Sequence, residues 1–364
     1  MKYESDLFYH EVERYSRQII VPEINIENQI KLRNSKILIV GCGGLGIPLI
    51  MYMSTCGISV IGIVDFDKIE IHNLQRQVIY KENDIGNFKV DVAYNYLKSL
   101  NSTIIINKYN VKIDISNAET IIKEYNIIID CTDSIETRYI LSDISKLHNK
   151  DFVCASVIRW EGHLYVFKKN GPCYRCLYPE IKKIVTSCDE NGIIGPICGF
   201  FGSLLGLEII KCIIDINETK LIRFNGLNNS FNTFKLRNKQ PYCVTCNKNL
   251  ILKDNYLKLN CNSNIKIENI KEITWDEALK KNYTIIDIRK NINFRMLRVK
   301  DSINIPLSEL KDNILKIKKF NNVALVCKSG ISSLQGCMIL QNKQINSVSI
   351  KGGINEFIYQ YIKK

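Results

Sequence analysis

The chain has 364 residues, of which 46% are hydrophobic, so it can bury a substantial core and fold as two or three globular domains. No apolar run approaches the ~20 residues that a membrane span needs, and the polar, acidic N-terminus is unlike a secretory signal or transit peptide. We therefore expect a cytoplasmic protein that does not associate with membranes.

Charge is spread unevenly along the chain, whose net charge is +13. Residues 1–250 hold 30 Lys and Arg against 27 Asp and Glu, whereas residues 251–364 hold 20 against 10. This asymmetry indicates two modules and a basic surface on the second. We interpret that surface as a result of lysine-rich coding, with attraction for an acidic partner protein or RNA as the alternative. Direct nucleic-acid binding is not expected.

The first 35 residues have a helical pattern that breaks at Pro22. Just before the break lies a basic cluster that includes Arg14 and Arg17. Two arginines so close together usually form a solvated face. Because a nucleotide-binding pattern follows, a phosphate contact from this cluster is the alternative.

Residues 36–76 have the strand, turn, helix and strand pattern of a nucleotide-binding βαβ unit. A short apolar run meets a glycine cluster that includes Gly44, and a second apolar run ends at Asp65. The glycines let phosphates approach helix-terminal N–H groups, and an acid about 20 residues further on meets the ribose hydroxyls. The unit does not identify the nucleotide, and a nicotinamide coenzyme stays open at this point.

Polar side chains follow the next strand ends. Asn73 and Arg76 come after the second strand, Lys89 opens a helix, and Asp133 follows a buried strand. Because ligands bind at the carboxyl ends of parallel strands, we expect these residues to meet the nucleotide. Arg76 and Lys89 can bind phosphates and Asp133 can hold Mg²⁺, which favours phosphoryl or adenylyl transfer over hydride transfer. A P-loop is excluded, since the GxxxxGK[ST] motif is absent.

The chain contains 14 cysteines, which predict metal ligands, catalytic thiols or small packing residues rather than disulfides. Two CxxC pairs lie 66 residues apart, Cys173 with Cys176 and Cys243 with Cys246. Four thiolates close a tetrahedral zinc site with no open position, so we expect one structural zinc ion per chain. Two unrelated pairs, or a redox pair, are the alternatives.

A polar linker over residues 251–268 precedes a second, small α/β domain over residues 269–364. There, a strand over residues 323–326 delivers Cys327 into a loop of small residues before a helix. Several backbone N–H groups of such a loop, with the helix N-terminus and Lys328, favour the thiolate and can hold a persulfide.

Residues 10–250 resemble the MoeB/ThiF family, the ubiquitin-activating type of adenylyltransferase. The resemblance rests on GCGGLG, DFDKIEIHNLQRQ, the lysine of GNFK, DCTDS and both CxxC pairs. It implies a Rossmann-like adenylation domain over residues 1–250, in which ATP with Mg²⁺ adenylates the C-terminal glycine of a ubiquitin-like sulfur carrier. It also implies a homodimer with two composite sites.

The same resemblance implies a role for each nucleotide-site residue. Gly44 lies in the nucleotide loop, and Asp65 holds the ribose of ATP. The phosphates are contacted by Asn73, Arg76 and Lys89.

Three more residues take roles from the resemblance. Asp133 serves the metal and the acyl-transfer geometry, and Arg17 matches the arginine that family dimers insert into the neighbouring ATP site. Cys188 matches a mobile-loop cysteine that can form a thioester or acyl-disulfide, with a spare cysteine as the alternative. The family's zinc ligands correspond to Cys173, Cys176, Cys243 and Cys246.

Residues 270–364 resemble the rhodanese family through the loop at Cys327, IIDIR, INIPL and Gly352-Gly353. The chain departs from that family in Lys328, where an arginine is common, and in the segment before INIPL. An inactive rhodanese fold used for docking is the alternative, and the presence of Cys327 favours activity.

Together the two parts resemble a eukaryotic-type fusion of adenylyltransferase with rhodanese. The resemblance implies that persulfide sulfur on Cys327 attacks the acyl-adenylate, so that a thiocarboxylate forms after reductive release. The sequence does not identify the carrier. The resemblance leaves the small subunit of molybdopterin synthase, the ubiquitin-related modifier of tRNA thiolation, or both, as candidates, and it implies a cysteine desulfurase as sulfur donor. The alternatives are a nicotinamide oxidoreductase, a non-catalytic scaffold, and an activator for conjugation without sulfur transfer.

Overall fold

The structure is a computed structural model that describes residues 6–179, 192–247 and 270–362. The chain forms two compact units, Met1–Tyr256 and Leu257–Lys364, each of which combines strands and helices. The α/β fold class predicted for both parts is thereby confirmed. The predicted linker over residues 251–268 lies outside the described residues.

Two helices open the first unit, α1 (Tyr9–Ile19) and α2 (Asn25–Asn34). Pro22 lies between them and has no N–H to continue a helix, so the predicted break is confirmed.

One sheet forms the centre of the first unit, and its strands have the spatial order β3-β2-β1-β4-β5-β6-β7-β8 in the described residues. The pairings from β3 to β5 are parallel, and those from β5 to β8 are antiparallel. The strand order reverses between β1 and β4, which is where an open α/β sheet binds its ligand. The strands are β1 (Lys36–Val40), β2 (Val60–Val64), β3 (Ile105–Tyr109), β4 (Ile127–Asp130), β5 (Asp151–Ile158), β6 (Glu161–Phe167), β7 (Lys220–Asn225) and β8 (Ser230–Lys235).

The sequence predictions missed the hairpin of β7 and β8. Every residue of β8 is exposed, and Phe231 and Phe234 lie among polar residues without strict alternation. An edge strand with two solvated faces has no apolar period, which is why the pattern gave no signal.

Helices cover the sheet and carry much of the core. They are α3 (Gly46–Thr55), α4 (Lys89–Leu100), α5 (Ala118–Ile122), α6 (Ile135–Leu147), α7 (Tyr174–Leu177) and α8 (Gly195–Ile213). Among the described residues, α8 alone is long and apolar enough to cross a membrane by length and composition. The expectation that no run approaches that length was therefore wrong. Half of α8 is buried, and Phe201, Leu205 and Ile209 join the core that also contains residues of α3.

The second unit has a parallel sheet of order β11-β10-β12-β13-β9 in its described part. The central strand β12 ends directly before Cys327, as predicted. The strands are β9 (Glu272–Ile273), β10 (Thr284–Asp287), β11 (Ile303–Asn304), β12 (Val323–Val326) and β13 (Ser347–Ile350). The helices are α9 (Trp275–Lys280), α10 (Asn291–Met296), α11 (Ile314–Ile317), α12 (Ile331–Gln341) and α13 (Gly353–Tyr361).

We expect Gly46→Ala to lower the free energy of unfolding by about 2–4 kcal/mol. A Cβ at Gly46 would overlap the carbonyl oxygen of Gly41, so α3 would have to move away from the turn. The matched control is Gly199→Ala in α8, where a Cβ meets nothing within 4 Å. That change should stabilise the protein slightly, because it restricts only the unfolded chain. Urea unfolding of both variants tests this, and equal stabilities would contradict it.

Candidate functional site

A glycine turn connects β1 to α3 and lies against the end of β4. Gly41 has φ +102°, a conformation that favours glycine, and a Cβ there would lie 3.0 Å from the carbonyl oxygen of Cys131. A Cβ on Gly44 would lie 2.9 Å from the sulfur of Cys198 and 3.3 Å from Cγ of Arg76. The structure thus brings Gly44 and Arg76 together at the reversal of strand order.

Asp65 follows β2 and is held by two backbone N–H groups. Its Oδ2 accepts a hydrogen bond from Cys42 N at 2.7 Å, and its Oδ1 accepts one from Asp67 N at 2.8 Å. Burial raises the pKa of Asp65, while the charge of Lys89 and these two hydrogen bonds act in the opposite direction. The carboxylate therefore has a fixed orientation beside the glycine turn, as a ribose ligand needs.

Lys89, the first residue of α4, points its amine toward Asp67. The two side chains form an ion pair of 2.8 Å, in which the lysine is 8% exposed and the aspartate 50%. Asp67 therefore holds the amine of Lys89 at the rim of the site. Sequence reasoning noted Asp67 in the segment but gave it no role.

Asn73 and Arg76 lie in the turn after β2. The amide oxygen of Asn73 accepts a hydrogen bond from Glu70 N at 3.0 Å, and the Arg76 guanidinium donates to the carbonyl oxygen of His72 at 3.0 Å. Asn73 is buried and Arg76 is half-buried. The next residue, Gln77, is 3% exposed, and its Oε1 has no hydrogen-bond partner among the described residues.

Two acids lie at the end of β4: Asp130 is its last residue, and Asp133, the acid predicted for the site, follows three residues later. Asp133 is exposed and makes no hydrogen bond or ion pair with the described residues. Asp130 is fully buried, and its Oδ2 accepts a 2.6 Å hydrogen bond from Arg138 Nε. Burial would lower the pKa of Arg138, but Asp130 raises it. The carboxylate also accepts hydrogen bonds from N and Oγ1 of Thr132, so it fixes the turn that carries Asp133.

Arg17 does not reach this site within its own chain. It is exposed on the last turn of α1 and has no hydrogen bond or ion pair among the described residues. Gln18 donates to the carbonyl oxygen of Cys56 and Arg14 to that of Leu100, so α1 lies at the C-terminal ends of α3 and α4. The glycine turn lies at the other end of α3, about 15 Å away along a ten-residue helix.

The four predicted metal ligands form one cluster, with all sulfurs within 4.8 Å of one another. Cys173 lies 3.9 Å from Cys176 and 3.4 Å from Cys243, and Cys176 lies 3.5 Å from Cys246. Sulfurs bound ~2.3 Å from a tetrahedral zinc ion lie about 3.8 Å apart. The donor set therefore fits zinc by ligand type, number and spacing.

The cysteines other than Cys327 and the four in the cluster divide into two groups. Cys188 lies outside the described residues, as does Cys261. The others that we interpreted as packing residues are all buried, and burial raises the pKa of Cys154 to about 12 and that of Cys337 to about 11. Such thiols are poor nucleophiles. This group comprises Cys42, Cys56, Cys131, Cys154, Cys198, Cys212 and Cys337.

Cys327 lies buried at the start of a tight loop in the second unit. The N–H of Gly330 donates to its sulfur at 3.1 Å, and the hydroxyl of Ser333 lies 3.5 Å from it. Ser333 is also 2.8 Å from the hydroxyl of Ser349 on β13. Sequence reasoning predicted the N–H contact but missed this buried pair of serines.

The first turn of α13 contacts the backbone of the Cys327 loop. Ile354 N–H donates to the carbonyl oxygen of Cys327 at 2.9 Å, and Asn355 N–H donates to that of Lys328 at 3.0 Å. Gly353 has φ +59°, and a Cβ there would overlap the Cys327 carbonyl. Gly353 thus has a physical role in placing the thiol.

Comparisons with known proteins agree with this arrangement. Residues 15–245 match the ThiF family, and residues 271–360 match the Rhodanese-like domain. The chain is 36% identical to "Adenylyltransferase and sulfurtransferase MOCS3" of Culex quinquefasciatus, over 84% of this chain and 74% of that protein. It is 33% identical to "Adenylyltransferase and sulfurtransferase UBA4" of Saccharomyces cerevisiae strain RM11-1a, over 97% and 89%.

Solved structures share the fold of the first unit. The crystal structure of E. coli MccB with ATP has a TM-score of 0.55 and 22% identity, and the match covers 64% of this chain and 74% of that one. PaaA has a TM-score of 0.54 and 19% identity, over 64% and 76%. At these identities the likeness is one of fold.

We expect Arg138→Met to lower the free energy of unfolding by about 3–5 kcal/mol, because it leaves the Asp130 carboxylate buried and unpaired. Lys108→Met is the control, since its ion pair with Asp91 is exposed and should be worth less than about 1 kcal/mol. Denaturant unfolding measures both changes. Similar losses of unfolding free energy in the two variants would show that the ion pair of Asp130 with Arg138 stabilises the fold no more than an exposed pair does.

Proposed function

The chain belongs to the ThiF family and carries a rhodanese-like domain, and from this premise we propose that it activates and thiolates a ubiquitin-like sulfur carrier. ATP adenylates the C-terminal glycine carboxylate of the carrier, and sulfur from the second unit then replaces the adenylyl group. The observation that carries the proposal is the presence of both sites on one chain: a glycine-turn nucleotide site and a thiol loop at Cys327. The alternative of a nicotinamide oxidoreductase is set aside, because the ThiF family match extends over residues 15–245.

The first step is a nucleophilic substitution at the α-phosphorus of ATP. A carboxylate oxygen of the carrier attacks the α-phosphorus of ATP, the bond to the β-phosphate oxygen breaks, and pyrophosphate leaves. Gly44 and Asp65 hold the nucleotide. Asn73, Arg76 and Lys89 contact the phosphates, and the positive charges of Arg76 and Lys89 offset the charge that develops there in the transition state. Asp133 would hold the Mg²⁺ that accompanies ATP, which fits its exposure and its lack of a partner among the described residues.

The second step transfers sulfur. The terminal sulfur of a persulfide on Cys327 attacks the acyl carbon, AMP leaves, and a carrier acyl-disulfide forms. A thiolate then attacks the Cys327 sulfur, so the carrier leaves as a thiocarboxylate and a disulfide with Cys327 remains. Cys188 is our candidate for that thiolate. An external dithiol must then reduce the disulfide before the next turnover.

The proposal includes an assembly and partners. We propose a homodimer in which Arg17 enters the partner's ATP site, which would explain why Arg17 lies far from the glycine turn of its own chain. A cysteine desulfurase would load Cys327, and one zinc ion would hold the four-cysteine cluster as a structural site. The carrier would be the small subunit of molybdopterin synthase, the ubiquitin-related modifier of tRNA thiolation, or both, in the cytoplasm.

Cys327→Ala should separate the two steps. We expect carrier-dependent ATP–pyrophosphate exchange at the wild-type rate and no thiocarboxylate, because only the sulfur-bearing thiol is lost. Exchange and carrier mass spectrometry measure the two outcomes. Cys337→Ala in the same unit removes a buried thiol and should affect neither. A Cys327→Ala chain that still thiolates its carrier would overturn this division of labour.

Asp133→Ala should lower carrier-dependent pyrophosphate exchange by about 10²-fold or more, because the metal-bound phosphates lose a ligand. Carrier binding should persist, since no apolar surface is removed. The control is Glu119→Ala, another exposed carboxylate, which is paired with His148 at the far end of α6. Exchange at the wild-type rate in Asp133→Ala would remove Asp133 from the reaction.

A further inference from the structure

A single buried carboxylate connects the two halves of the four-cysteine cluster. Asp143 lies on α6, and its side chain is 0% exposed. Arg175 Nε donates to both of its oxygens, at 3.0 and 2.9 Å, and Thr245 Oγ1 donates to Oδ1 at 2.8 Å.

These two partners of Asp143 lie inside the CxxC pairs. Arg175 is the third residue of Cys173-Tyr174-Arg175-Cys176, and Thr245 is the third residue of Cys243-Val244-Thr245-Cys246. The two pairs are separated by 66 residues in the chain, so the carboxylate fixes their relative position. The neighbouring Ser142 strengthens the first contact, because its hydroxyl accepts a hydrogen bond from Tyr174 N at 3.1 Å.

We infer that Asp143 is a positioning residue for the metal: it aligns the two CxxC pairs so that four sulfurs are already gathered when the ion arrives. The inference rests on the proposed zinc site and does not depend on the proposed reaction. Without such alignment, part of the free energy of zinc binding is lost in ordering the four ligands. Residues that orient metal ligands through hydrogen bonds typically change metal affinity 10- to 100-fold.

A second buried carboxylate allows this role to be told apart from a general contribution to stability. Glu208 on α8 is also buried, and it is paired with Lys211 at 2.9 Å and with Lys220 at 2.8 Å. Asn217 donates to it as well, at 2.8 Å. No CxxC residue is among these partners. Removing the charge of Glu208 therefore disturbs a buried network in the same unit without touching either cysteine pair.

The test measures zinc release from the full-length chain. Wild-type protein that retains one zinc ion per chain is mixed with excess chelator and a chromogenic zinc indicator, and the release rate is followed. We expect Asp143→Asn to release zinc about 10- to 100-fold faster than the wild type. Glu208→Gln should lower the melting temperature but leave the release rate unchanged.

Thr245→Val tests the same connection, from Arg175 through Asp143 to Thr245, with a smaller change, in case Asp143→Asn folds poorly. It removes one hydrogen bond at nearly constant volume and should speed release by a smaller factor. The double variant should release zinc no faster than Asp143→Asn, because both changes break the same connection.

Three results would overturn the inference. Asp143→Asn and Thr245→Val could hold zinc as long as the wild type, or Glu208→Gln could speed release as much at an equal loss of melting temperature. A wild-type chain without zinc would remove the metal site itself. Pyrophosphate exchange, assayed separately, reports on the proposed reaction, so a failure there is distinguishable from a failure here.

Discussion

The buried ion pair of Asp130 and Arg138 is the contact on which the first unit depends. It joins the end of β4 to α6, and Arg138 also donates to the carbonyl oxygen of Ala155 on β5 at 2.9 Å. A pair this buried costs desolvation energy, which only tight geometry and further hydrogen bonds offset. Here the hydrogen bonds of Asp130 and Arg138 fix the turn from Cys131 to Ser134, and thus the position of Asp133.

The same helix continues to the metal cluster. Five residues after Arg138, Asp143 holds both CxxC pairs. Helix α6 thus fixes both the turn that carries Asp133 and the two cysteine pairs. In the second unit, the first turn of α13, which begins at Gly353, has the matching role for Cys327. In each unit, the candidate site residue, Asp133 or Cys327, lies on a loop, and buried polar contacts behind it set its position. This division lets a rigid scaffold hold groups that must still meet a carrier protein.

Much of this could be predicted from sequence. Strands buried on both faces appear as continuous apolar runs, so β1, β4 and β12 and the residues after them were found. The hairpin of β7 and β8 was missed, because an exposed edge has no apolar period. The buried anchors were missed for a different reason: Asp130, Arg138 and Asp143 look like ordinary surface charges until the fold pairs them. Spacing found the four cysteines, but it could not show what aligns them.

The central claim is that one chain both adenylates and thiolates a carrier, and mass spectrometry of the carrier tests it most directly. The wild-type chain, with its second unit loaded with sulfane sulfur, is incubated with ATP, Mg²⁺, a thiol reductant and each candidate carrier. We predict pyrophosphate release together with the mass gain of one oxygen replaced by sulfur, in one carrier or both. Pyrophosphate release with no sulfur gain in either carrier would contradict the account.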